Sequence, residues 1–460
     1  MAESIMIEKL TPLDLIMPGT YVQAFFAFPC LSPDLSIPNL QQGLSRLCEK
    51  YPWLRGRVLQ GSRANLHMQW KSSDLPPILT DNGIIESSYD HLAAQGMPPA
   101  SIPPEKWPQI SVSGTSSTAC APIFAASFSR FAGNSGLALC ICVHHNVVDA
   151  AGLSHLLHDW ASYCNDPLLF TTAFDEDRLV RFSGALGHEL DAASQQSLKE
   201  LFSSHSEYSQ TPPQLPEEFA AATSKVFRIC AAQLNSIKKN MSDAVGAAPS
   251  TNTLLCALMW RAVTKARTQR NPSLAVQTSN LVTAVDGRGR ISPNFSHSER
   301  PYLGNVVLYA ITNASVEGLN AGVATVEATN PLADICELID QAQSSTRIDR
   351  RFIADVYSLK SRLDDTIGMF PGWDLFHSKD LTITSWRHLD LYTLDFGSGL
   401  GCPSFVRPPH VAADGVGFVL PRKQLSGMSE EILEVMIMLR EDDLECLVCD
   451  EQWKDILEDW

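Results

Sequence analysis

The stretch that decides the fold is GLALCICVHHNVVDAAGLSHLLHDWASYC, which runs from Gly136 to Cys164. Its first third is a continuous apolar run that is typical of a buried strand, and the residues from Asp149 onward repeat apolar side chains at helical spacing. Two adjacent histidines, His144 and His145, lie at the junction. Because side chains alternate along a strand, we expect one histidine to pack inward and the other to face an opening.

This junction can carry acid–base chemistry. A neutral imidazole has an ordinary pKa of about 6.5 and accepts a proton at cellular pH, and a positioned base contributes about 10²–10⁴-fold to a rate. Asp149, four residues after His145, can cap the helix or pair with an arginine that locks the turn. A purely structural pair of core histidines is the alternative, and the local pattern leaves both interpretations open.

The composition excludes several classes of protein. With 460 residues the chain is too long for one ordinary core, so two domains or a duplicated unit are expected. The net charge of −16 argues against nucleic-acid binding. No apolar run is long enough to span a membrane, and the N-terminal residues do not resemble a signal peptide. The twelve cysteines are scattered, and many lie in apolar runs, which indicates reduced thiols in a cytoplasmic protein.

A polar, proline-rich region divides the chain near its middle. We predict an N-terminal domain at 1–205, a crossover linker at 206–222 and a C-terminal domain at 223–460, each mixing strands and helices. In the second half, STNTLLCALMWRAVTKAR is predicted to form a helix with Ser250 as its N-cap. The two halves are expected to form similar-sized α/β layers with a cleft between them.

Several motifs, in order, resemble those of the BAHD-type CoA-dependent acyltransferase superfamily. HHNVVD fits the family pattern HHxxxD. The family often has glycine directly after the aspartate of the motif, whereas here Ala150 and Ala151 come before Gly152. The opening LTPLDLIMPGTYVQAFFAFP is similar to the fungal subgroup typified by trichothecene 3-O-acetyltransferase. Three further segments resemble the family: STNTLLCALMWRA (Ser250–Ala262), DGRGRISPNFSHSERPYLGN (Asp286–Asn305) and SWRHLDLYTLDFGSGLGCPSFVRPP (Ser385–Pro409).

The resemblance implies an α/β fold of two similar-sized chloramphenicol-acetyltransferase-like domains. Each domain would be a mixed β-sheet with helices, the active-site channel would lie between them, and a short segment near 365–385 would pack on the N-terminal domain. The implied activity is acyl-CoA-dependent O-acylation, with acetyl-CoA as donor, of a hydroxyl on a fungal secondary metabolite. No permanently bound cofactor is expected, and a coenzyme A thioester would be the co-substrate.

The resemblance also implies roles for individual residues. His145 would be the general base, and Asp149 would hold the histidine turn by pairing with an arginine that the sequence does not identify. Asp395, in the segment DFGSG, would pair with an arginine of the D-x-R-x-R segment, for which Arg288 is the first candidate and Arg290 the second.

The DFGSG segment raises a second set of expectations. Gly397 and Gly399 would permit a tight backbone turn that approaches its neighbours closely. Ser398 replaces the family tryptophan, and Ser398 and Asn305 are the candidates for contact with the oxyanion or the acceptor. Basic residues in an acidic chain are candidates for binding the coenzyme A phosphates, namely Lys238, Lys239, Arg261 and Lys265. No metal ligands are predicted.

Two other functions are compatible with the same motifs. An N-acyltransferase or a condensation-type enzyme would keep the fold and change the acceptor, and a degenerate member would bind a metabolite without turnover. The partners expected are an acyl-CoA and a small-molecule alcohol or amine, with no nucleic acid and no membrane. A cytoplasmic monomer is expected.

Overall fold

The computed structural model of the chain describes residues 4–30, 32–61, 66–110, 120–174, 176–296, 300–321, 331–363, 368–424 and 431–458. Its helices are α1 (Pro12–Ile16), α2 (Pro33–Lys50), α3 (Tyr89–Ala93), α4 (Ala150–Asn165), α5 (Arg178–Ser194), α6 (Leu198–Ser204), α7 (Ala231–Val245), α8 (Thr251–Arg270), α9 (Arg288–Ile291), α10 (Val316–Asn320), α11 (Pro331–Gln343), α12 (Arg350–Ser361), α13 (Glu441–Cys449) and α14 (Glu451–Lys454).

The strands alternate with these helices along the chain. They are β1 (Ile5–Lys9), β2 (Tyr21–Pro29), β3 (Arg57–Gln60), β4 (Leu66–Lys71), β5 (Thr80–Ile85), β6 (Cys120–Pro122), β7 (Phe124–Phe131), β8 (Gly136–His144), β9 (Tyr208–Ser209), β10 (Ala222–Ile229), β11 (Thr278–Asp286), β12 (Val307–Ser315), β13 (Phe370–Pro371), β14 (Leu381–Ser385), β15 (Phe405–Arg407), β16 (Val416–Val419), β17 (Lys423–Gln424) and β18 (Glu431–Arg440).

The first large sheet has the strand order β15-β2-β8-β7-β5 and mixes antiparallel with parallel pairs. Strand β8 lies at its centre, paired antiparallel with β2 and β7, and all nine of its residues are buried. Helices α2 and α4 cover one face of this sheet and share its apolar core. The buried strand and the helix predicted from the opening stretch are therefore confirmed, and a smaller sheet of order β1-β4-β3-β6 lies in the same half.

The second large sheet has the order β10-β18-β16-β14-β11-β12 and is also mixed. The central strand β14 runs parallel to both of its neighbours, whereas the outer pairs are antiparallel. Helix α8 packs on this sheet, and the Ser250 side chain accepts a hydrogen bond from the Thr253 amide, so the predicted N-cap is confirmed. Two mixed sheets, each covered by helices, confirm the predicted α/β fold of two domains.

The C-terminal half returns one segment to the first sheet. Strand β15 pairs with residues 25–27 of β2, and side chains from 386 to 406 enter the core that α4 and β8 build. Of the segment 365–385, which was expected to pack on the N-terminal domain, Leu381–Ser385 forms the central β14 of the second sheet, and the packing of the remainder stays a prediction. The domain division near 206–222 stays a prediction, although β9 within it pairs with β13.

A buried ion pair ties this returning segment to the second sheet. Arg407, at the end of β15, is fully buried and donates to both carboxylate oxygens of Glu434 on β18, at 2.7 and 2.9 Å. Its guanidinium also donates to the carbonyl of Gly96, at 2.8 Å. The two sheets are thus joined through a charged contact that is shielded from water.

Candidate active site

His144 is the inward-facing histidine of the motif. It ends β8, is fully buried, and its Nδ1 accepts a hydrogen bond from the Asn146 amide at 3.3 Å. The ring packs edge-on against Tyr21, with 5.2 Å between the ring centroids. Burial, and then the neighbouring His145, lower the pKa of His144 to about 4. His144 is therefore a neutral packing residue at pH 7.

His145 begins the turn that follows β8 and is partly exposed. Its amide donates to the carbonyl of Thr20, and its own carbonyl accepts from Asn305 Nδ2, both at 2.8 Å. Burial lowers the pKa of His145, opposed by a hydrogen bond to its own backbone and by the charge of Asp149. Because Nδ1 is enclosed by the protein, Nε2 is the nitrogen that can meet a substrate. A neutral imidazole in this position can accept a proton.

Asp149 is the N-cap of α4 and the acceptor of a buried ion pair. Its Oδ1 accepts from the Gly152 amide at 2.9 Å, which satisfies the helix start. Arg288 donates to both carboxylate oxygens, at 2.8 and 3.0 Å, and each side chain of the pair is only about 2–3% exposed. Although burial alone would lower it, the Asp149 charge raises the pKa of Arg288. The turn carrying His145 is therefore fixed at both ends.

The same arginine organises the segment 302–306. Arg288 donates to the carbonyls of Tyr302 and Gly304, at 2.8 and 2.6 Å. This segment passes so close to α4 that a Cβ on Gly152 would lie 2.2 Å from the carbonyl oxygen of Leu303. Glycine is thus required three residues after Asp149, which gives a physical reason for its displaced position in the motif.

The predicted pairing of Asp395 was wrong. Asp395 is exposed, its carboxylate accepts from the Gly397 amide at 3.0 Å, and no arginine pairs with it among the described residues. Arg288 binds Asp149 instead, and Arg290 donates to the carbonyls of 343, 344 and 348. The reason is distance: Asp395 lies beside Asn165 at the far end of α4, about 24 Å from the end that Arg288 holds.

The same separation removes Ser398 from the reaction centre. Ser398 is exposed on the turn beyond Asp395, at the opposite end of α4 from His145, so the expected oxyanion contact was wrong. The glycines behave as predicted: Gly397 has φ of +93°, and a Cβ on Gly399 would lie 2.7 Å from Ser36 Oγ. The DFGSG segment is a packing turn beneath the first sheet.

Asn305 lies at the site, but its contact is with backbone. It is fully buried, and Nδ2 donates to the His145 carbonyl and to Asp14 Oδ1, both at 2.8 Å. Its Oδ1 is enclosed without a hydrogen-bond partner. Asn305 therefore holds the histidine turn, and its role toward an oxyanion or acceptor stays a prediction.

Three of the four predicted phosphate-binding residues, Arg261, Lys265 and Lys238, have partners within the protein. Arg261 donates to the carbonyls of Leu319 and Ala321, and Lys265 lies 2.5 Å from a carboxylate oxygen of Asp450. Both lie more than two turns along α8 from its start, where Lys238 donates to Thr251 Oγ1 at 2.6 Å and Lys239 is exposed. The four residues therefore do not form one cluster, and phosphate binding by Arg261 and Lys265 stays a prediction.

A different basic cluster surrounds Lys238. Burial and the positive charge of Arg387 lower the pKa of Lys238. Arg387 donates to Glu431 at 2.7 Å, and Arg422 lies 3.8 Å from the same carboxylate. Arg422 also approaches Asp390, whose charge acts on His158 of α4. No local pattern in the sequence indicates this cluster, because Lys238, Arg387 and Arg422 come from three segments that are separated along the chain.

A second buried carboxylate near His145 was also missed. Asp14, in α1, is fully buried and accepts from the Thr11 amide and hydroxyl and from Asn305. Arg178 lies 3.8 Å from it and donates to the carbonyl of Val147 within the motif. The quoted stretch LTPLDL contains the signal, since threonine followed three residues later by an acid is a capping pattern.

The described residues contain neither a metal site nor a membrane-spanning helix. No group of three or more His, Cys, Asp or Glu side chains there has an arrangement that could hold a metal ion. None of the helices in these ranges has both the length and the apolarity needed to cross a bilayer.

Two mixed β-sheets, each covered by helices, meet at a histidine turn that buried polar contacts hold in place. This arrangement is that of the two-domain acyltransferases. The chain belongs to the Transferase family, whose model matches residues 105–452, and a trichothecene 3-O-acetyltransferase-like N-terminal domain matches residues 20–164.

Individual proteins agree with this assignment. Trichothecene 8-O-acetyltransferase of Fusarium sporotrichioides is 27% identical over 477 residues, covering 96% of this chain and 96% of that protein. A hydroxycinnamoyl-CoA:5-hydroxyanthranilate N-hydroxycinnamoyltransferase of Avena sativa is 27% identical over 67% of this chain and 64% of its own length. The structure of F. sporotrichioides TRI101 complexed with coenzyme A and T-2 superposes with a TM-score of 0.75, at 19% identity, over 98% of this chain and 99% of that one. The predicted acyltransferase class is therefore confirmed.

Proposed function

We propose that this protein transfers an acyl group, with acetyl as the first candidate, from coenzyme A to a hydroxyl of a fungal secondary metabolite. The observation that carries the proposal is the turn after a buried strand that presents His145: its imidazole is partly exposed and neutral, and the backbone of the turn is held by Asn305 and by the ion pair of Asp149 with Arg288. The comparison proteins named for O-acetylation, or solved with coenzyme A, support the choice of donor and acceptor.

His145 is the general base of this reaction. Its Nε2 takes the proton of the acceptor hydroxyl, and the oxygen attacks the thioester carbonyl to form a tetrahedral intermediate. Collapse of the intermediate breaks the carbon–sulfur bond, and the proton moves from His145 to the departing thiolate. The base ends in its starting state, so no acyl-enzyme is required. Asp149 and Arg288 fix the turn and do not touch the reacting atoms.

The basic cluster of Lys238, Arg387 and Arg422 is the proposed site for the coenzyme A phosphates. Burial lowers the pKa of His158, and Asp390, beside this cluster, is close enough to that histidine for its charge to oppose the shift. His158 lies nine residues after Asp149 along α4, or about 14 Å. An extended pantetheine arm covers such a distance between the phosphates and the sulfur. Lys239, exposed on the same helix as Lys238, remains part of the proposal.

An N-acyltransferase is the second candidate function. The observation in its favour is the similarity to an N-hydroxycinnamoyltransferase over 67% of this chain. The same base would deprotonate an amine as it attacks, so the site chemistry is shared.

We also propose that the protein is a cytoplasmic monomer, which rests on reduced thiols and on a site contained within one chain.

The first experiment measures thiol release from acetyl-CoA with a panel of terpenoid, alkaloid and polyketide alcohols and matched amines. Mass spectrometry identifies a product heavier by one acetyl group. We expect acceptor-dependent release by the wild type and a loss of about 10²-fold or more in His145→Ala. His188→Ala changes an exposed histidine on α5 and is the matched control. Undiminished transfer by His145→Ala would exclude His145 as the base.

Direct binding separates the donor from the acceptor. Calorimetric titration with coenzyme A should give a weaker Kd for Arg422→Ala than for the wild type, and Lys199→Ala, at an exposed site on α6, should leave it unchanged. Equal affinities in all three proteins would exclude the basic cluster as the phosphate site. No detectable binding to the wild type would exclude the acyl-CoA proposal itself.

A further inference from the structure

A buried carboxylate beside the histidine turn has more acceptor capacity than its helix needs. Asp14 forms a capping box at the start of α1, in which Oδ2 accepts from the amide and the hydroxyl of Thr11, at 2.9 and 2.8 Å. A capping box uses one carboxylate oxygen. The other, Oδ1, accepts both the amide and the side-chain Nδ2 of Asn305, each at 2.8 Å.

Asn305 connects this carboxylate to the proposed base. The same Nδ2 that donates to Asp14 donates to the His145 carbonyl, at 2.8 Å. Asn146, the next residue of the motif, donates from its own Nδ2 to the carbonyls of Asp14 and Met17, both at 2.7 Å. The residues from Asp14 to Met17 therefore hold the His145–Asn146 segment in two ways, through Asn305 and through the Asn146 side chain.

The charge of Asp14 also reaches His145. Asp149 is neutralised by a bidentate pair with Arg288, whereas the nearest cation to Asp14, Arg178, is 3.8 Å away. Arg178 is shared with Glu8, whose carboxylate is 3.2 Å from its Nε. Asp14 is thus the less neutralised of the two buried acids, and a negative charge that is only partly neutralised favours an imidazolium forming nearby.

We infer that Asp14 is a positioning residue for His145, which holds the histidine turn through Asn305 and supports the imidazolium that forms when the base takes a proton. The inference rests on the proposed function for its role in turnover, but its physical content is testable without turnover. In agreement with it, burial lowers the pKa of His145, and the charge of Asp14 is among the influences that raise it, after a hydrogen bond to its own backbone, the charge of Asp149 and the hydrogen bond of Asn305.

Other charged or titratable groups face the same turn, and they enter the experiment. Burial raises the pKa of Glu8 to about 7, so it titrates in the range that matters. The groups are, by element, Glu8 on β1, Asp14 on α1, His144 on β8, Asp149 at the start of α4, Arg178 on α5 and Arg288 on α9.

The test is a pH titration of His145 by NMR, with ¹³C at Cε1 of histidine and the His145 signal assigned by its loss in His145→Gln. Asp14→Asn keeps the shape of the side chain and removes its charge. We expect the His145 midpoint to move down by about half a unit or more relative to wild type. Repeating both titrations in a Glu8→Gln background removes the contribution of Glu8. Asp443→Asn, at a fully buried acid paired with Arg270 elsewhere, should leave the midpoint unchanged.

A second variant covers a failure of Asp14→Asn to fold. Asn305→Ala leaves the Asp14 capping box in place and removes the link to the His145 carbonyl, so the midpoint should also move down. A folded Asp14→Asn protein whose His145 midpoint matches wild type overturns the inference, as does an unchanged midpoint in Asn305→Ala. Either result is read without an acceptor, so it is independent of whether acyl transfer is found.

Discussion

Breaking the ion pair between Asp149 and Arg288 should destabilise the protein strongly. Asp149→Asn keeps an oxygen to cap α4 but leaves a buried guanidinium without its bidentate partner. Removing one member of a buried pair costs about 3–5 kcal/mol of the free energy of unfolding. Arg288 retains Asp286 at 3.0 Å and two backbone carbonyls, so we expect the lower end, about 3 kcal/mol. Asp149→Ala also loses the cap, which adds about 1 kcal/mol.

The measurement is equilibrium unfolding in urea, followed by tryptophan fluorescence, for the single variants Asp149→Asn and Arg288→Met and for the double variant that combines them. Because the double variant buries neither charge, it should lose less than the sum of the single losses, with a coupling of about 1–3 kcal/mol. Single losses below about 1 kcal/mol that simply add would refute the reasoning, since they would show that the pair is not energetically buried.

Three further changes test other parts of the fold. Gly152→Ala should cost about 1–3 kcal/mol in urea unfolding, because its Cβ would lie 2.2 Å from a backbone carbonyl oxygen, whereas Gly184→Ala, with open space around it, should be neutral or stabilising. Glu434→Leu should lower the melting temperature sharply by leaving the buried charge of Arg407 without its carboxylate, and adding Arg407→Met should recover most of that loss. A melting temperature of Glu434→Leu equal to that of the wild type would contradict the structure. In the folded protein His144 is neutral and its pKa is about 4, so the free energy of unfolding should fall as the pH drops from about 6.5 to 4, by at most about 3 kcal/mol. An unchanged dependence of the free energy of unfolding on pH in His144→Gln would refute this assignment.

Local patterns predicted the elements that position the site. The run ending at His144 has enough consecutive apolar residues to predict a buried strand, and the helical spacing after Asp149 predicted α4 within one residue of its bounds. Ser250 was correctly predicted as a cap because capping depends on adjacent backbone groups. These features are encoded within a few residues of one another.

Partners distant in the sequence could not be predicted in the same way. Arg288 is 139 residues from Asp149, and the sequence offers no means of telling that it reaches Asp149 and not Asp395. The answer depends on the length of α4, which separates the two acids by about 24 Å. The partners of Arg261 and Lys265 could not be predicted for a related reason, since Leu319 and Asp450 lie far from them along the chain.

The return of β15 to the first sheet has a consequence for synthesis on the ribosome. Strand β2 leaves the ribosome early, but residues 405–407, which pair with its outer edge, are synthesised near the end of the chain. That edge is therefore unpaired during most of translation. Unpaired strand edges invite association with other chains. A truncated product ending at the crossover would expose this edge permanently and would lack the core side chains supplied from 386 to 406. The N-terminal half is therefore expected to be insoluble on its own and to become soluble when the C-terminal half is co-expressed.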